Sequence, residues 1–517
     1  MRKTLRYSSW AIASVVVVAL TTVLFINYTI KNKVENFVAS RLPSNFIVSY
    51  DELSLNIFSG TLTYANVSVA IKNTKTDAIH TTVKVPEFII EDISYFDYLF
   101  SDEIHIEDIK LFKSEITYFK HHFNRVKDST RTPVLDLIKP VLIDELSIDN
   151  ATVTIFENDK NEKLLYVQNA TVEIDDILIS SETLANRIPL NYSDYEAKSD
   201  SLFVKVSSFE NLTAHNFALK DHQLVANDIR LWTKVSEQKL SEIIPVERDH
   251  FTVRMESLNV RNLDFGFEQR ELFTKSTAVS VKDLSAEVFR DKLVADNLNT
   301  KRLYSRVLRE LPFKLTIDSV DIQNGFLKYR ERVKADNSGG EIVFKKLNVQ
   351  MKNVSNTYQA PVKTEVAIQA NLMKSTPVSV NWNFDVNDVS DHFIFKIDMG
   401  HLAAEDMNSF MQPNLGVQFS GEVNKVYMTT DGNRNMSRSD VKLNYDNFKI
   451  NILRKDGKKK NKLFSAIANI FIENDSKEDN SNFSEVTVEV MPDKTKSFFN
   501  YIWLNLDKAL KKSLIGI

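Results

Sequence analysis

A ten-residue pattern of apolar and polar positions recurs along most of the chain. Three apolar residues stand at alternate positions, a polar pair follows, and two more apolar residues again alternate. The clearest copies are FIVSYDELSL (46–55), FTVRMESLNV (251–260) and FKLTIDSVDI (313–322). The partial copies are KPVLIDELSI (139–148), LFVKVSSFEN (202–211) and DYLFSDEIHI (97–106). Successive copies begin 42 to 63 residues apart. The sequence therefore predicts a repeating unit of about 50 residues.

Alternation of this kind predicts β-strands with one apolar face. In the copy at 313–322, apolar residues precede the polar pair (Phe313, Leu315, Ile317) and follow it (Val320, Ile322). Because the pair Asp318–Ser319 shifts the phase by one residue, both sets share a face only if the strand bulges or turns a corner. The acidic positions recur with the repeat, so we interpret them as structural corners rather than as catalytic groups.

Several copies are followed by a turn-forming pair and a strand with an aromatic residue at its end. These are Asp149–Asn150 before Phe156, Arg261–Asn262 before Phe267, and Asn324–Gly325 before Tyr329. Further alternating runs lie at 347–354 and 378–384. We predict a mainly β fold, an elongated and curled antiparallel array whose units pack chiefly on their neighbours. Tandem β-sandwiches are the alternative, but no proline- or glycine-rich linkers are evident.

Few helices interrupt this pattern. The sequence predicts a juxtamembrane helix at 31–42 that ends at Pro43. It also predicts helices at 300–311 and 402–411, ended by Pro312 and Pro413.

The amino terminus has the pattern of a membrane anchor. The run from Tyr7 to Ile30 contains no charged residue and follows Arg2, Lys3 and Arg6. A helix of this length spans about 36 Å, enough to cross a hydrocarbon core of roughly 30 Å. The residues expected to hold it in the bilayer are Trp10, Val15, Val18, Leu24 and Tyr28. A cleaved signal peptide is the alternative, but the run is too long and no small-residue cleavage site follows it. The basic residues in front favour a cytoplasmic amino terminus and an exported body.

Two basic-apolar segments lie near the carboxy terminus. Lysines at 458–462 precede LFSAIANIFI (463–472), whose apolar residues form one helical stripe. The final segment, 496–517, predicts an amphipathic helix with Phe499, Trp503, Leu506, Leu510 and Leu514 on its apolar face. Asn505, Lys508, Lys511 and Lys512 are placed on the opposite face. Such a helix can lie in a membrane interface, or it can cap the open end of a repeat array.

Composition and motifs exclude several kinds of chemistry. The chain has no cysteine, 11 glycines among 517 residues and a formal charge of −4. Disulfides and thiolate sites are thereby excluded, and no basic footprint for nucleic acid is present. No hydrolase, zinc-protease, P-loop or dinucleotide motif occurs. The adjacent His121 and His122 would point to opposite faces of a strand, so we expect no metal site there. We therefore predict no catalytic residue, no metal and no cofactor.

Two parts of the chain resemble AsmA-like proteins, of the type found in Bacteroidetes envelopes. The resemblance is carried by LPFKLTIDSVDIQNGFLKYRE (311–331), EIVFKKLNVQMKNVSN (341–356) and KSFFNYIW (496–503). LPSNFIVSYDELSLNIFSGTLTYANVSV (42–69) is similar to the segment after the anchor in the wider superfamily. The resemblance implies a repeating β-groove with an apolar interior, held in the periplasm of a Gram-negative bacterium by an inner-membrane anchor. It also implies a role in phospholipid movement or in outer-membrane assembly, and it supplies no catalytic residues.

These inferences define the predicted organisation. The regions are a basic start and transmembrane anchor (1–30), a juxtamembrane helix (31–43), β-groove repeats (44–300), an AsmA-like β-groove region (301–490) and an amphipathic helix (491–517). The candidate lipid-groove residues are Phe46, Val48, Tyr50, Phe251, Val253, Met255, Phe313, Leu315, Ile317, Val320 and Ile322.

Two functions are consistent with this organisation. We expect the protein to bind or conduct phospholipid between the membranes, through an apolar trough that shields acyl chains from water. The alternative is a non-enzymatic scaffold or regulator of outer-membrane assembly that contacts an envelope protein. An apolar interior open along its length favours the first function, and a closed, tightly packed core favours the second.

Overall fold

The computed structural model describes residues 44–515, apart from 57–59, 74, 94–101, 124–138, 159, 161, 187, 269 and 454–482. The predicted anchor, the helix at 31–42 and the segment 458–472 lie outside the described residues. The fold is mainly β, with 63% of residues in strands and 11% in helices. Met1–Ile229 and Arg230–Ile517 form two compact units. The predicted boundary at 300/301 falls inside the second unit.

The first unit contains ten strands among its described residues. They are β1 (Phe46–Ser49), β2 (Glu52–Asn56), β3 (Thr61–Lys72), β4 (Ile79–Ile93), β5 (Ile104–Phe112), β6 (Glu115–Phe119), β7 (Val141–Phe156), β8 (Lys163–Ile179), β9 (Asp194–Lys205) and β10 (Glu210–Lys220). β1 and β2 both pair with β3, and the order continues through β4, the consecutive strands β5 and β6, β7, β8, β9 and β10. Short 3-10 turns lie at Lys120–His122 and Thr183–Ala185.

β11 (Gln223–Thr233) crosses the boundary between the units. The further strands of the second unit are β12 (Asp249–Arg261), β13 (Asp264–Glu268), β14 (Glu271–Lys282), β15 (Ser285–Asp291), β16 (Lys314–Arg332), β17 (Gly340–Ser355), β18 (Thr364–Leu372), β19 (Thr376–Phe384), β20 (Phe393–Met399), β21 (Leu402–Ala403), β22 (Val417–Gly432), β23 (Ser437–Ile452) and β24 (Ser484–Val490). In this unit β12–β13, β14–β15 and β20–β21 each act as one interrupted strand. Counted in this way, each strand from β12 to β24 pairs with the strand that follows it in the sequence.

The pairing is mixed, whereas the sequence predicted an antiparallel array. β7 runs parallel to β5 and β6, and β16 runs parallel to β14 and β15. In both cases about twenty residues separate the paired strands, at 120–140 and 292–313. A connection of that length can return the chain to the starting edge, which a tight hairpin cannot do.

Helices are few, as the sequence predicted. The described ones are α1 (Glu237–Ile243), α2 (Tyr304–Arg309), α3 (Asn408–Leu415) and α4 (Phe498–Ile515). α2 lies within the helix predicted at 300–311. The helix predicted at 402–411 is wrong at both ends: the chain starts there as β21 and a 3-10 turn, Ala404–Met407, and α3 continues through Pro413. Gly416, in the left-handed conformation at φ 70°, ends α3 instead.

The predicted corners exist in the three clearest copies of the repeat and in the partial copy at 139–148. The first, acidic residue of each polar pair faces an Asn or Asp of the neighbouring strand that adopts the left-handed backbone conformation. The facing positions are Asp51 and Asn66, Asp144 and Asp176, Glu256 and Asp283, and Asp318 and Asn353. Asn66 donates a hydrogen bond to Asp51 at 2.8 Å. Since both strands shift phase at the same level, the register on either side of the corner is unchanged.

Burial in β7 shows the effect of a corner. Val141 and Ile143 precede the polar pair, Leu146 and Ile148 follow it, and all four are buried in one apolar cluster. Strict alternation would have sent the second pair to the opposite face. The prediction that the phase shift keeps both apolar sets together is confirmed for this copy.

Two other parts of the repeat interpretation are wrong. The predicted turn pairs at 149–150 and 324–325 lie inside β7 and β16, where Asn150 and Asn324 adopt left-handed bulges at φ 54° and 53°. The register shifts there while the strand continues. The copy at 202–211 crosses the turn between β9 and β10, where the Val206 and Ser207 amides bond to the Glu210 carbonyl. That copy therefore forms no corner.

Candidate functional site

One row of apolar side chains crosses ten paired strands of the second unit. We call it the Ile322 ladder, and its members face each other in consecutive registers: Leu258, Val281, Ile322, Val349, Ile368, Val380, Ile397, Met428, Val441 and Val486. Directly opposed residues in a sheet lie on the same face. The ladder is therefore a continuous apolar stripe. At about 4.8 Å per strand it measures roughly 43 Å.

A second row runs beside the first on the same face, two residues along each strand. This Val320 ladder consists of Val260, Val279, Val320, Met351, Val366, Trp382, Phe395, Thr430, Ser439 and Val488. It turns polar only at Thr430 and Ser439, whose hydroxyls bond to each other at 2.7 Å.

The row between these two lies on the opposite face and is polar in all but one position. This Asp321 ladder consists of Asn259, Ser280, Asp321, Gln350, Ala367, Asn381, Lys396, Thr429, Asp440 and Thr487. The sheet of the second unit thus keeps one apolar and one polar face across ten strands. Water is the natural neighbour of the polar face, and the apolar face requires a cover.

The apolar face is covered at its carboxy-terminal end and half-exposed further along. Met428 and Val441 are each 1% exposed and belong to a cluster that α4 closes. Further along, Leu258, Ile322, Ile368 and Val380 are only partly buried. The ladder members between them include buried residues: Val281, Val349 and Val366. From β12 to β19, the described part of this face therefore alternates between buried and partly exposed apolar side chains.

The candidate residues of the first copy lie in a different setting. Phe46, Val48 and Tyr50 pack against the core of the first unit, and Tyr50 meets Tyr64 edge-to-face at 5.2 Å. This core is tightly closed: Ile90, Ile109, Leu146 and Ile177 are 0% exposed. The three residues therefore contribute to packing, and the apolar face around them is filled by protein side chains.

The candidate residues of the second unit do not stack copy upon copy. β12 is antiparallel to β14 and β14 is parallel to β16, so the copies at 251–260 and 313–322 run in opposite directions. Phe251 is aligned through Val288 with Tyr329, and Val253 through Ala286 with Leu327. The notion of one stripe made from equivalent repeat positions is therefore wrong.

The same reversal brings other candidate residues together. Val320 and Ile322 enter the two apolar ladders, beside Val279 and Val281. Leu315 and Ile317 lie next to Thr274 and Ser276, on the amino-terminal side of the corner at Asp318. Phe313 lies immediately before β16, and Met255 immediately before the corner at Glu256; both are half-buried. The candidate side chains among them, those of Met255, Phe313, Leu315, Ile317, Val320 and Ile322, are all partly buried.

The carboxy-terminal helix caps the apolar face, with a side that matches the predicted one only in part. Its buried residues are Phe498, Tyr501, Ile502, Asn505, Ala509 and Ser513. Of the predicted face, Leu506 and Leu510 are half-buried and pack against the same apolar cluster. Trp503 is half-buried, Phe499 is 57% exposed, and the side chain of Leu514 is outside the described set.

Asn505, which the sequence placed on the exposed side, is fully buried. Its side-chain oxygen accepts hydrogen bonds from Ser437 (3.0 Å) and Ser439 (2.8 Å), and its amide donates to the Tyr501 carbonyl (2.9 Å). These bonds satisfy the polar group at the sheet and remove the cost of burying it.

An aromatic cluster forms the junction between α4 and the ladders. Trp382 of the Val320 ladder stacks on Phe498, with ring centroids 4.7 Å apart. Phe393 and Phe395 meet Phe498 edge-on at 5.1 and 5.7 Å. Burial raises the pKa of Tyr501 to about 12, so its phenol stays protonated at neutral pH. The apolar face therefore ends in a rigid aromatic wall.

Titratable groups form no reactive constellation in the part of the chain that the structure describes. No group of three or more His, Asp or Glu side chains there could hold a metal. His121 approaches Glu157 at 3.3 Å, whereas His122 bonds to the Ile79 carbonyl at 2.8 Å. The two imidazoles thus have separate partners. The described helices also include none long and apolar enough to span a membrane.

Sequence reasoning found the alternation but missed the ladders. A single strand shows which residues share a face, whereas the ladder depends on strand order and register. The members on β18 to β20 (Val366, Ile368, Val380, Trp382, Phe395 and Ile397) belong to no copy of the repeat. The one available signal was their own alternation, seen at 378–384.

Neither a protein-family model, nor a curated protein, nor a solved structure matches this chain.

Proposed function

We propose that this protein binds acyl chains of phospholipid along the half-exposed apolar face of its second unit and passes them between the membranes of a Gram-negative envelope. The single observation that carries the proposal is the pair of apolar ladders, which stay on one face through ten strands. An acyl chain reaches about 15 Å, half of a bilayer's hydrocarbon core. The stripe is longer than one such chain, which suits transfer along a track better than a single closed pocket.

The energetics support reversible binding. Each acyl methylene removed from water is worth about 0.8 kcal/mol, and the contact needs no precise geometry. A chain could therefore be held by the sum of many weak contacts and could shift along the ladders without crossing a large barrier. The polar Asp321 ladder keeps the other face wetted, so lipid would be confined to one side.

The anchor and location belong to the same proposal. The uncharged run at 7–30 would hold the chain in the inner membrane with its body in the periplasm, as the AsmA-like resemblance implies. A reporter that is active only outside the cytoplasm should work after residue 43 and fail before residue 7. Activity in the opposite positions would contradict the orientation, and a mature chain starting near residue 30 would contradict the anchor.

A scaffold role is the second candidate, and one observation favours it. The apolar face of the first unit is filled, with Ile106, Ile143 and Ile179 each at most 1% exposed. A closed core of this kind offers no space to lipid. Under this alternative the protein would act through contacts with an envelope protein partner.

Two neighbouring substitutions separate the candidates. Ile368 lies in the apolar ladder, and Ala367 is exposed on the polar face. We expect native mass spectrometry of the detergent-solubilised protein to detect co-purified phospholipid. Ile368→Asp should reduce it severalfold, because a charge in an apolar trough is costly. Ala367→Asp is the matched control and should have no effect. Equal lipid occupancy in both variants would favour the scaffold role.

A further inference from the structure

A cavity of about 430 Å³ opens beside the first turn of α4, within the second unit. Six cationic side chains line it: Lys301, Arg302, Arg306, Arg434, Lys494 and Lys496. Two acids, Asp391 and Asp493, also contribute to the wall. This excess of positive charge stands out in a chain whose formal charge is −4. A concave site of one sign concentrates ligands of the opposite sign.

Part of this charge is already neutralised by the protein. Arg302 and Arg306 both pair with Glu310 at 2.6 Å. Lys496 pairs with Asp296 at 2.9 Å. These three cations are committed to neighbouring carboxylates and shape the wall.

Asp391 does not neutralise the remaining cations. It is 2% exposed and accepts hydrogen bonds from Ser305 at 3.0 Å and from Arg309 at 2.6 Å. Because these donors come from α2, the carboxylate fastens that helix to the sheet, and the Arg309 guanidinium balances its charge.

The remaining cations are available to a ligand. Lys301 and Arg434 are exposed and have no side-chain hydrogen bond or ion pair within the described part of the chain. Among the described residues, the Lys494 ammonium reaches only the side-chain oxygen of Asn435, at 2.9 Å. Lysine ammonium and arginine guanidinium groups are the usual protein ligands of phosphate, the latter through paired hydrogen bonds.

Neutral donors complete the site. Ser497 precedes α4 and accepts a hydrogen bond from the Asn500 amide, so the helix begins at the cavity. The Asn500 amide is thus capped by Ser497, whereas the two helix amides before it have no partners within the helix. The dipole of this 18-residue helix favours an anion at this end. Tyr501 also lines the cavity. It is 3% exposed, and its phenol lies beside the hydroxyl of Ser437, which donates to Asn505.

The cavity also touches the end of the apolar face. Phe498 and Leu303 line it, and Phe498 stacks on Trp382 of the Val320 ladder. One wall is therefore cationic and the other aromatic. A ligand with an anionic head and an apolar chain would satisfy both walls.

We propose that this cavity binds a phosphate group, and that the phosphate is the headgroup of a lipid whose chains lie toward the Val320 ladder. The choice of a lipid rests on the proposed function, whereas the choice of phosphate rests on the cavity. Free phosphate shares the same chemistry, so an experiment must distinguish the two sources.

The test uses the full chain in a non-ionic detergent. Three compounds are titrated by calorimetry: inorganic phosphate, a short-chain phosphatidic acid and the corresponding diacylglycerol, which lacks phosphate. The double variant Lys301→Glu/Arg434→Glu reverses the two unpaired cations. Its matched control, Lys345→Glu/Arg438→Glu, reverses two exposed cations outside the cavity.

We expect phosphatidic acid to bind more tightly than diacylglycerol. The double variant should weaken binding of phosphatidic acid about tenfold or more, while the control variant leaves it unchanged. Equal binding of phosphatidic acid by both variants would overturn the site. Inorganic phosphate binding as tightly as phosphatidic acid, with the same loss in the double variant, would support the phosphate site and overturn its assignment to a lipid.

A second measurement separates this inference from the proposed function. A photo-crosslinker at position 322 reports acyl chains on the apolar face. Crosslinks retained in a double variant whose phosphatidic acid binding is also unchanged would overturn the cavity alone. If crosslinks are absent while phosphate binding persists, the groove proposal fails and the phosphate site stands.

Discussion

Single Asn and Asp residues in the left-handed conformation determine how the strands of this protein bend. Asn66, Asp176, Asp283 and Asn353 each adopt φ near 50° opposite a motif carboxylate. Asn and Asp are the non-glycine residues that adopt this conformation most easily. The sequence showed the carboxylate of each corner because it belongs to the repeat. It did not show the partner, since that residue lies on another strand and in no recurring pattern.

The corner at Asn353 can be tested by two substitutions. Asn353→Ala and Asn353→Gly both remove the hydrogen bond that its amide donates to the Lys363 carbonyl at 3.0 Å. Only alanine carries a Cβ, which the left-handed conformation disfavours by about 1–2 kcal/mol. In urea denaturation we therefore expect Asn353→Ala to be less stable than Asn353→Gly by about 1 kcal/mol. Equal stabilities would show that the backbone conformation imposes no cost there.

His80 should make the first unit sensitive to acid. It is 7% exposed, its Nδ1 lies 2.7 Å from the Thr81 hydroxyl, and Tyr118 and Phe123 pack edge-on against its ring. Burial, helped by the nearby His122, lowers the pKa of His80 from 6.5 to about 4. The unfolded chain therefore binds a proton at higher pH than the folded chain does. The resulting stability is present above pH 6.5 and is lost as the pH falls toward 4.

Thermal unfolding between pH 7.5 and 4 measures this effect. His80→Phe keeps a ring between Tyr118 and Phe123 but cannot titrate, so its stability should fall less steeply below pH 6.5 than that of the natural chain. His215, which is exposed, provides the control substitution His215→Phe, and its pH dependence should match the natural chain. Parallel pH profiles for all three proteins would contradict the assignment.

At the scale of elements, periodicity located α4 but did not orient it. The large side chains of Phe499, Trp503, Leu506 and Leu510 dominate the apolar count, so they were assigned to the buried face. The structure turns the helix so that Tyr501, Asn505 and Ala509 are the buried residues, while Leu506 and Leu510 pack at the edge of the same cluster. A buried Asn is stable there only because Ser437 and Ser439 of β23 supply its partners. These two serines lie 68 and 66 residues before Asn505 in the sequence, so the pattern of the helix alone does not reveal them.

Asn505 should therefore be important for the cap. Asn505→Ala would leave the two serine hydroxyls without their acceptor at a fully buried site, at a cost of about 1–3 kcal/mol. Asn500→Ala, on the partly exposed side of the same helix, should change stability by less than about 0.5 kcal/mol. Chemical denaturation of both variants measures the difference. A loss of similar size in both would mean that helix propensity, not the buried hydrogen bonds, accounts for the effect.

The strands give a similar lesson about turn signals. Asn-Gly and Asp-Asn pairs were predicted to end strands, yet β7 and β16 continue through them and are 16 and 19 residues long. An Asn that tolerates positive φ can serve a hairpin turn or a bulge equally well. Whether a turn or a bulge forms depends on the strand that pairs alongside, and a local sequence window does not show that strand. The presence of these two strands could thus be predicted from the sequence, but their length could not.

At the scale of the whole molecule, composition and alternation were sufficient for a mainly β fold with recurring corners. Strand direction was not predictable, because it depends on the connections at 120–140 and 292–313. Those connections make β7 and β16 parallel to their neighbours. They also determine which apolar residues align: Leu258 with Ile322, rather than Phe251 with Phe313. The candidate site could therefore be recognised as apolar from sequence, but its course across the strands required the pairing.

The central claim is that lipid lies along one face of the second unit, and site-specific photo-crosslinking tests it most directly. A photoreactive residue is placed at Leu258, Ile322, Ile368 and Val380 of the Ile322 ladder, and separately at their outward-facing neighbours Asn259, Asp321, Gln369 and Asn381. Each pair differs by one position along a strand and therefore by the face it samples. We expect phospholipid adducts at all four ladder positions and at none of the four neighbours. Adducts at both sets alike, or at neither set in a folded protein, would contradict the account.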